Sequence, residues 1–302
     1  MLFRSTQQYK HELQKVNHLH LWADTTITIL DISGLSAMEL LQLYSVSLST
    51  LNVDGCDTLN TIQASYCNSL KDLSLDHLSS IETCVLYANN SLSGFDVGAV
   101  TTLIDLEITN CPISGRLDFV NNPDLDYVIV TGTSVNEIAI SPVNSPVTYN
   151  FESNQLTQEG VDDILLSSAD NAAVGNGSYL SVDGLNNSYP SDVGYTAIAT
   201  LTANNWTVIY NNPPAWDPTH KGSNIQLSNF NRTATQLNGL MQSVIGNREI
   251  HGTDKVMFTI ELETLSTEVS GQFIGIGTST TNVNSYLGST NESIGKIGRA
   301  HV

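Results

Sequence analysis

The sequence predicts an α/β chain in which β predominates: a parallel solenoid, closed by two helix–strand units and followed by a partial antiparallel β-sandwich. Three observations lead there. Apolar side chains recur every eleven residues without a break from Leu48 to Ile113. After Ser141, two amphipathic helical segments are each followed by a short β-rich stretch. Beyond the Pro-rich stretch Asn211–Ala215, apolar residues alternate or run together between Gly, Asn and Thr turns.

Bulk composition narrows the classes. The 302 residues carry a formal net charge of −19 and are 40% hydrophobic, enough apolar material for one large core or two smaller ones. From Leu21 to Ala215 there are 22 acidic residues against two basic ones, Lys71 and Arg116, a field that repels phosphate backbones, so nucleic acid is not expected as a partner. No apolar run reaches the length of a membrane span, and the first twenty residues lack the apolar core of an export signal, so membrane insertion is not expected either.

Three apolar columns define the repeat. Position one holds Leu48, Leu59, Leu70, Ile81, Leu92 and Leu103; position four holds Leu51, Ile62, Leu73, Cys84, Phe95 and Leu106; position six holds Val53, Ala64, Leu75, Leu86, Val97 and Ile108. Position nine takes Cys56, Cys67, Leu78, Asn89, Val100, Cys111 and Asn122, a slot expected to turn inward. The unit L-x-x-L-x-[VLI]-x-x-[NC]-x-x resembles the leucine-rich repeat, in the variant where two eleven-residue halves form one turn. That resemblance covers roughly residues 30–140 and implies a short strand from each half. All four cysteines fall on inward columns, which predicts buried free thiols and neither disulfides nor zinc.

The helical segments follow. Thr157 is placed to cap a helix carrying Val161, Ile164 and Leu165 at helical spacing; it breaks at Gly175 and Gly177 before the strand SYLSVDG. A second helix, about Ser191 to Ala203, leads to the strand WTVIY. Asp162, Asp163 and Asp170 read as a solvated helix face. Past the hinge, Trp216, Phe258, Ile260 and Phe273–Gly277 resemble the opening part of a SPRY-type β-sandwich, as in phage and bacterial surface proteins. The closing residues Ile297–Val302 match the translation of a common sequencing-library adapter, so 296–302 are expected to be an adapter scar, with native sequence ending near Gly295.

The expected organisation is therefore an N-terminal cap segment (1–29), the solenoid (30–140), helix–strand repeats and cap (141–210), a linker (211–215), the sandwich portion (216–295) and the scar (296–302). Catalytic motifs are absent: no GxSxG, HExxH, CxxC, Walker loop or helix-opening GxGxxG occurs, and neither a cofactor nor a metal is expected. His18 and His20 read as outward imidazoles on an entering strand. If successive halves face opposite sides, one side exposes Asn52, Asp54, Asp72, Ser74, Asp76, Asp96 and Asp118, and the other Tyr87, Asp105, Glu107 and Tyr127. Asp54, Asp72, Asp76, Asp96, Asp118, Tyr87 and Tyr127 are the candidate binding residues: stacked carboxylates can hold Ca²⁺ or hydrogen-bond sugar hydroxyls, and tyrosine faces can stack on sugar rings. The two resemblances together imply a non-enzymatic adhesion or receptor-binding protein of a phage tail, taking a host-surface glycan or protein. The alternatives are a bacterial cell-surface leucine-rich-repeat protein that binds a partner protein, and the targeting module of a polysaccharide hydrolase.

Overall fold

An apolar residue every eleven positions has somewhere to go only if successive halves wind around a shared interior. In the computed structural model, position one is fully buried in all six units, and position six is buried in all six. Position four splits: Ile62, Leu73, Cys84 and Leu106 are buried, whereas Leu51 and Phe95 are half-buried. Each fully buried Leu or Ile contributes about 1.5–3 kcal/mol, so the three columns carry most of the stability. The structure describes residues 2–3, 14–97, 100–142, 145–213, 215–228, 232–237, 244–246, 275–277 and 293–295.

The chain divides into two compact units, Met1–Asn211 and Asn212–Val302. In the first, the strands are β1 (Leu2–Phe3), β2 (His18–Trp22), β3 (Ile29–Asp31), β4 (Leu40–Tyr44), β5 (Thr50–Asn52), β6 (Thr61–Ser65), β7 (Asp72–Ser74) and β8 (Thr83–Tyr87). They continue with β9 (Gly94–Asp96), β10 (Asp105–Thr109), β11 (Ser114–Phe119), β12 (Tyr127–Thr131), β13 (Ser134–Ile140), β14 (Thr148–Asn150), β15 (Tyr179–Ser181) and β16 (Thr207–Ile209). The even strands from β2 to β14, then β15 and β16, form one nine-stranded parallel sheet. Its register runs Leu19, Leu41, Ile62, Cys84, Leu106, Val128, Tyr149, Leu180, Val208. On the opposite side, shorter parallel ladders join β1, β3 and β5, β7 with β9, and β11 with β13. The unit is a parallel β-solenoid. Its sheet already begins at His18 and takes in both helix–strand units.

Every long strand ends in the same way. Ala23, Ser45, Tyr66, Ala88, Asn110, Gly132 and Ser153 all have left-handed backbone, with φ from 51° at Ala88 to 64° at Gly132. Each amide extends the ladder to the next turn, as Ser45 N to Ser65 O (2.9 Å) and Ala88 N to Thr109 O (2.8 Å). The reversal aims the following residue inward, which is how Val46, Cys67, Asn89, Cys111, Thr133 and Asn154 come to be buried. The carboxamides among them bond to the preceding turn. Cys67 N donates to Asn89 Oδ1 (2.8 Å) while Asn89 Nδ2 donates to Ala64 O (2.8 Å). Thr133 N donates to Asn154 Oδ1 (3.1 Å), and Leu156 N to Asn187 Oδ1 (3.1 Å). The sulfurs occupy the same slots: Cys67 Sγ donates to Ser65 O (3.6 Å), and Cys111 Sγ to Leu86 O (3.8 Å) and Thr109 O (3.6 Å). All four cysteines are buried free thiols, and burial pushes each above its ordinary pKa.

The helices follow the spacing read from the sequence. α1 (Gln158–Ala169) starts at Thr157, whose Oγ1 accepts from Gly160 N (3.0 Å), and α2 (Asp192–Ala203) starts at Ser191. Asp163 and Asp170 are exposed, but Asp162 departs from the expected solvated face. It is buried, and its Oδ1 accepts from Ser191 N (3.0 Å), the amide of the residue that opens α2, whose own side chain makes no cap bond. Close packing follows from Gly194, where a Cβ would stand 2.1 Å from that carboxylate oxygen. Trp206 Nε1 donates to Ala172 O (2.9 Å), fastening β16 beneath the end of α1.

The second unit contains β17 (Trp216–Lys221), β18 (Ile225–Ser228), β19 (Thr233–Gln236), β20 (Val244–Gly246), β21 (Gly275–Gly277) and β22 (Ser293–Gly295). β17 pairs with β20, β18 with β19, and β21 with β22, all antiparallel. Trp216 Nε1 donates to Arg232 O (3.1 Å). Phe258, Ile260 and Phe273, on which the sandwich resemblance also rests, lie outside the described residues, as do 296–302.

Asn89→Ala leaves a buried N–H and a buried C=O without partners and is expected to cost about 2–4 kcal/mol. Asn122 donates to Val100 O but its Oδ1 has no partner, and its column neighbours are Leu78 and Val100. Asn122→Val is therefore expected to stay within about 1 kcal/mol of the parent, a contrast that denaturant titration reads directly. Ala88→Gly removes the left-handed penalty at φ 51° and is expected to raise stability by up to about 1 kcal/mol, measured as a higher Tm.

Candidate binding faces of the solenoid

Because side chains alternate along a strand, the nine-stranded sheet sends positions two and four of each long strand inward and positions one, three and five outward. Parallel register then stacks identical positions about 4.8 Å apart, so an outward residue repeated in successive turns becomes a continuous column. The fifth position holds Trp22, Tyr44, Ser65 and Tyr87 on β2, β4, β6 and β8.

The gap at Ser65 is filled from the next residue. The turn from β4 to β6 is 21 residues long, one shorter than its neighbours, so Tyr66 falls on the left-handed position where the other turns have Ala, Ser, Asn or Gly. From there its ring lies 5.4 Å from Tyr44 and 5.4 Å from Tyr87, edge to face with both. Trp22 stacks on Tyr44 with centroids 4.4 Å apart and 23° between the planes. Four aromatic rings from four turns thus form one ladder along the sheet. Trp22 is 75% exposed, Tyr44 37% and Tyr66 38%. A hydrogen bond with Tyr87, followed by partial burial, holds the Tyr66 phenol above its ordinary pKa.

Beside the ladder, β10 carries Asp105 and Glu107 at its first and third positions, and β12 carries Tyr127, in register with Asp105 and 41% exposed. Thus Tyr87, Asp105, Glu107 and Tyr127 share one sheet face, though Tyr87 and Tyr127 stand at opposite ends of their strands. At the entry edge, His18 and His20 both point outward, and His18 Nε2 lies 3.7 Å from Glu39 Oε2.

The remaining candidates lie on the opposite ladders. Asp31, Asn52, Ser74, Asp96 and Asp118 occupy equivalent positions one turn apart, and four of them are seen to hold the turn that follows. Ser33 N donates to Asp31 Oδ1 (3.1 Å), Asp54 N to Asn52 Oδ1 (3.0 Å), Asp76 N to Ser74 Oγ (3.4 Å) and Val120 N to Asp118 Oδ1 (3.0 Å). Asp118 also pairs with Arg116 (3.1 Å), and Asp76 contacts Ser74 Oγ and lies 3.2 Å from His77. Asp72 faces Gly94 across β7 and β9, and a Cβ on Gly94 would meet its carboxylate at 2.2 Å. The structure therefore sets Asp54, Asp72, Asp76, Asp96 and Asp118 on one side, with local structural bonds shown for Asp76 and Asp118. Among the described residues, no three His, Cys, Asp or Glu side chains are grouped to hold a metal ion.

Trp22, Tyr44 and Tyr66 were not among the sequence candidates. Their signal was present, since 22, 44 and 66 are spaced by one turn, but an even spacing hides the 21-residue turn that puts Tyr66 on a different backbone position. Comparison with protein-family models and with curated proteins finds no match. Among solved structures, an internalin of Listeria monocytogenes aligns over 68% of this chain and 89% of its own, at 12% identity and a TM-score of 0.22. The architecture is read from this chain's own register.

In a spectrophotometric alkaline titration, Tyr66→Phe is expected to remove one phenol that titrates above the ordinary value of about 10. The raised pKa favours the folded state below the unfolded-state value, and that advantage disappears as pH rises through the folded one. The substitution should therefore lessen the alkaline loss of stability.

Proposed function

We propose that this chain is a non-enzymatic binding protein that takes a protein partner on the outer face of its nine-stranded sheet, in a bacterial cell-surface or extracellular setting. The observation that carries the reading is the aromatic ladder. Solvent-exposed Trp and Tyr rings held against one another lose little further freedom on binding, and such residues are enriched where interfaces concentrate their energy. Trp22 and Tyr44 cover one another's facing surfaces, leaving less open ring face for sugar stacking than an isolated aromatic platform would have. The absence of recognisable catalytic motifs in the sequence supports a binding role.

A virion-tail component taking a host glycan is the finer reading from sequence. Its support is the pairing of a solenoid with a β-rich second unit whose sequence resembles a SPRY-type sandwich.

The test is to probe arrays of extracellular proteins and of glycans with the whole chain and with a Tyr44→Ser/Tyr66→Ser variant. Serine already occupies both backbone positions in neighbouring turns, at Ser65 and Ser45, so the variant is expected to fold. The expected result is a protein ligand whose affinity falls by about tenfold or more in the variant, the loss typical of removing interface anchors. Binding to glycans alone, or protein binding untouched by the variant, overturns the reading.

A further inference from the structure

The strands that build the sheet face carry no lysine or arginine at any of their positions, from HLHLW at β2 to TVI at β16. They do carry carboxylates. Asp105 and Glu107 project outward from β10, with Glu82 exposed where the chain enters β8. Among the described residues none of these three side chains is shown in a hydrogen bond or ion pair. The opposite side differs: Arg116 lies there on β11, bridging Asp118 and Glu137, and Lys71 directly precedes β7. Apart from the His18–Glu39 contact at the entry edge, no ion pair is shown on the sheet side, so Glu82, Asp105 and Glu107 stand beside the aromatic ladder without a lysine or arginine of the sheet strands to neutralise them.

We propose that the partner of the sheet face presents a lysine- or arginine-rich surface, seated on the Trp22–Tyr44–Tyr66–Tyr87 ladder with its cations against Glu82, Asp105 and Glu107. This rests on the sheet-face reading above and specifies the chemistry of its partner. Electrostatic complementarity selects among partners and speeds encounter, because a like-charged surface is repelled before contact and an opposite one is drawn in. Tyrosine hydroxyls supply acceptors for guanidinium and ammonium donors, and the apolar stems of Lys and Arg pack along the rings. Glu107 is one strand over from Tyr87 and two residues back along it, so a single extended segment of the partner can touch both.

The experiment measures binding of the whole chain to a short labelled peptide of alternating arginine and glycine, with a glutamate–glycine peptide as control. Three variants are compared: Asp105→Lys/Glu107→Lys on the sheet face, Asp72→Lys/Asp96→Lys on the opposite side, and Tyr44→Ser/Tyr66→Ser. The expected result is arginine-peptide binding that weakens about tenfold in the sheet-face reversal and in the tyrosine variant but changes less than about twofold in the opposite-side reversal. The glutamate peptide should not bind. Equal losses from both reversals, attributable to the overall negative field, overturn the proposal, as does the absence of arginine-peptide binding. A protein ligand from the arrays that is weakened by the tyrosine variant yet indifferent to Asp105→Lys/Glu107→Lys also overturns it, while leaving the sheet-face reading standing.

Discussion

The solenoid depends on one recurring exchange between turns: an inward side chain satisfies the buried backbone of the turn before it. A parallel stack buries the chain reversals at the ends of its strands, where ladder bonds stop and amides would otherwise be left in an apolar interior. Asn89 and Asn154 meet that need with a carboxamide that accepts from an amide and donates to a carbonyl. Cys67 and Cys111 fill the same slots with a weakly donating thiol, which meets a backbone carbonyl instead. The alternation of Asn and Cys in one column therefore has a single cause. Either residue is small enough for the slot and carries a group that can bond to buried backbone. The left-handed residue before it is the companion requirement, since without that reversal the side chain would point outward.

The same constraint shapes the closing part of the unit. When the turns lengthen to admit α1 and α2, the bridging residues persist as Asn187 and Asn211. Asn187 Nδ2 donates to Phe151 O (2.8 Å), and Asn211 Nδ2 donates to Gly184 O (2.6 Å). Helices can thus replace short strands on one side without interrupting the sheet on the other. Asp162 extends the principle to a helix, since a buried carboxylate from one turn accepts the amide of Ser191, which opens the helix of the next.

Fixed register also turns sequence repetition into surface. The long strands pair without bulges, so outward residues align turn upon turn and a few aromatic residues become a ladder spanning four strands. A one-residue contraction between β4 and β6 would have broken that ladder at Ser65. Tyr66 restores it from the adjoining left-handed position, where the conformational cost is shared with Ala23, Ser45 and Ala88. The opposite ladders use their repeated Asp, Asn and Ser for a different purpose, bonding to backbone amides two residues on.

The sequence by itself determined the periodic core: which residues are inward, that two halves make a turn, that the cysteines are buried, and where both helices start. Those features follow from hydrophobic spacing and capping chemistry, which are local along the chain. It also separated Tyr87, Asp105, Glu107 and Tyr127 from the aspartates of the other side. Only the tertiary structure decided that the entering strand at His18 pairs into the main sheet, that Asp162 is buried against the start of α2, and that Trp22, Tyr44, Tyr66 and Tyr87 meet. Each of these depends on inter-turn register, set by contacts between residues about twenty or more positions apart. A turn of 21 rather than 22 residues changes that register while leaving the hydrophobic pattern almost unaltered.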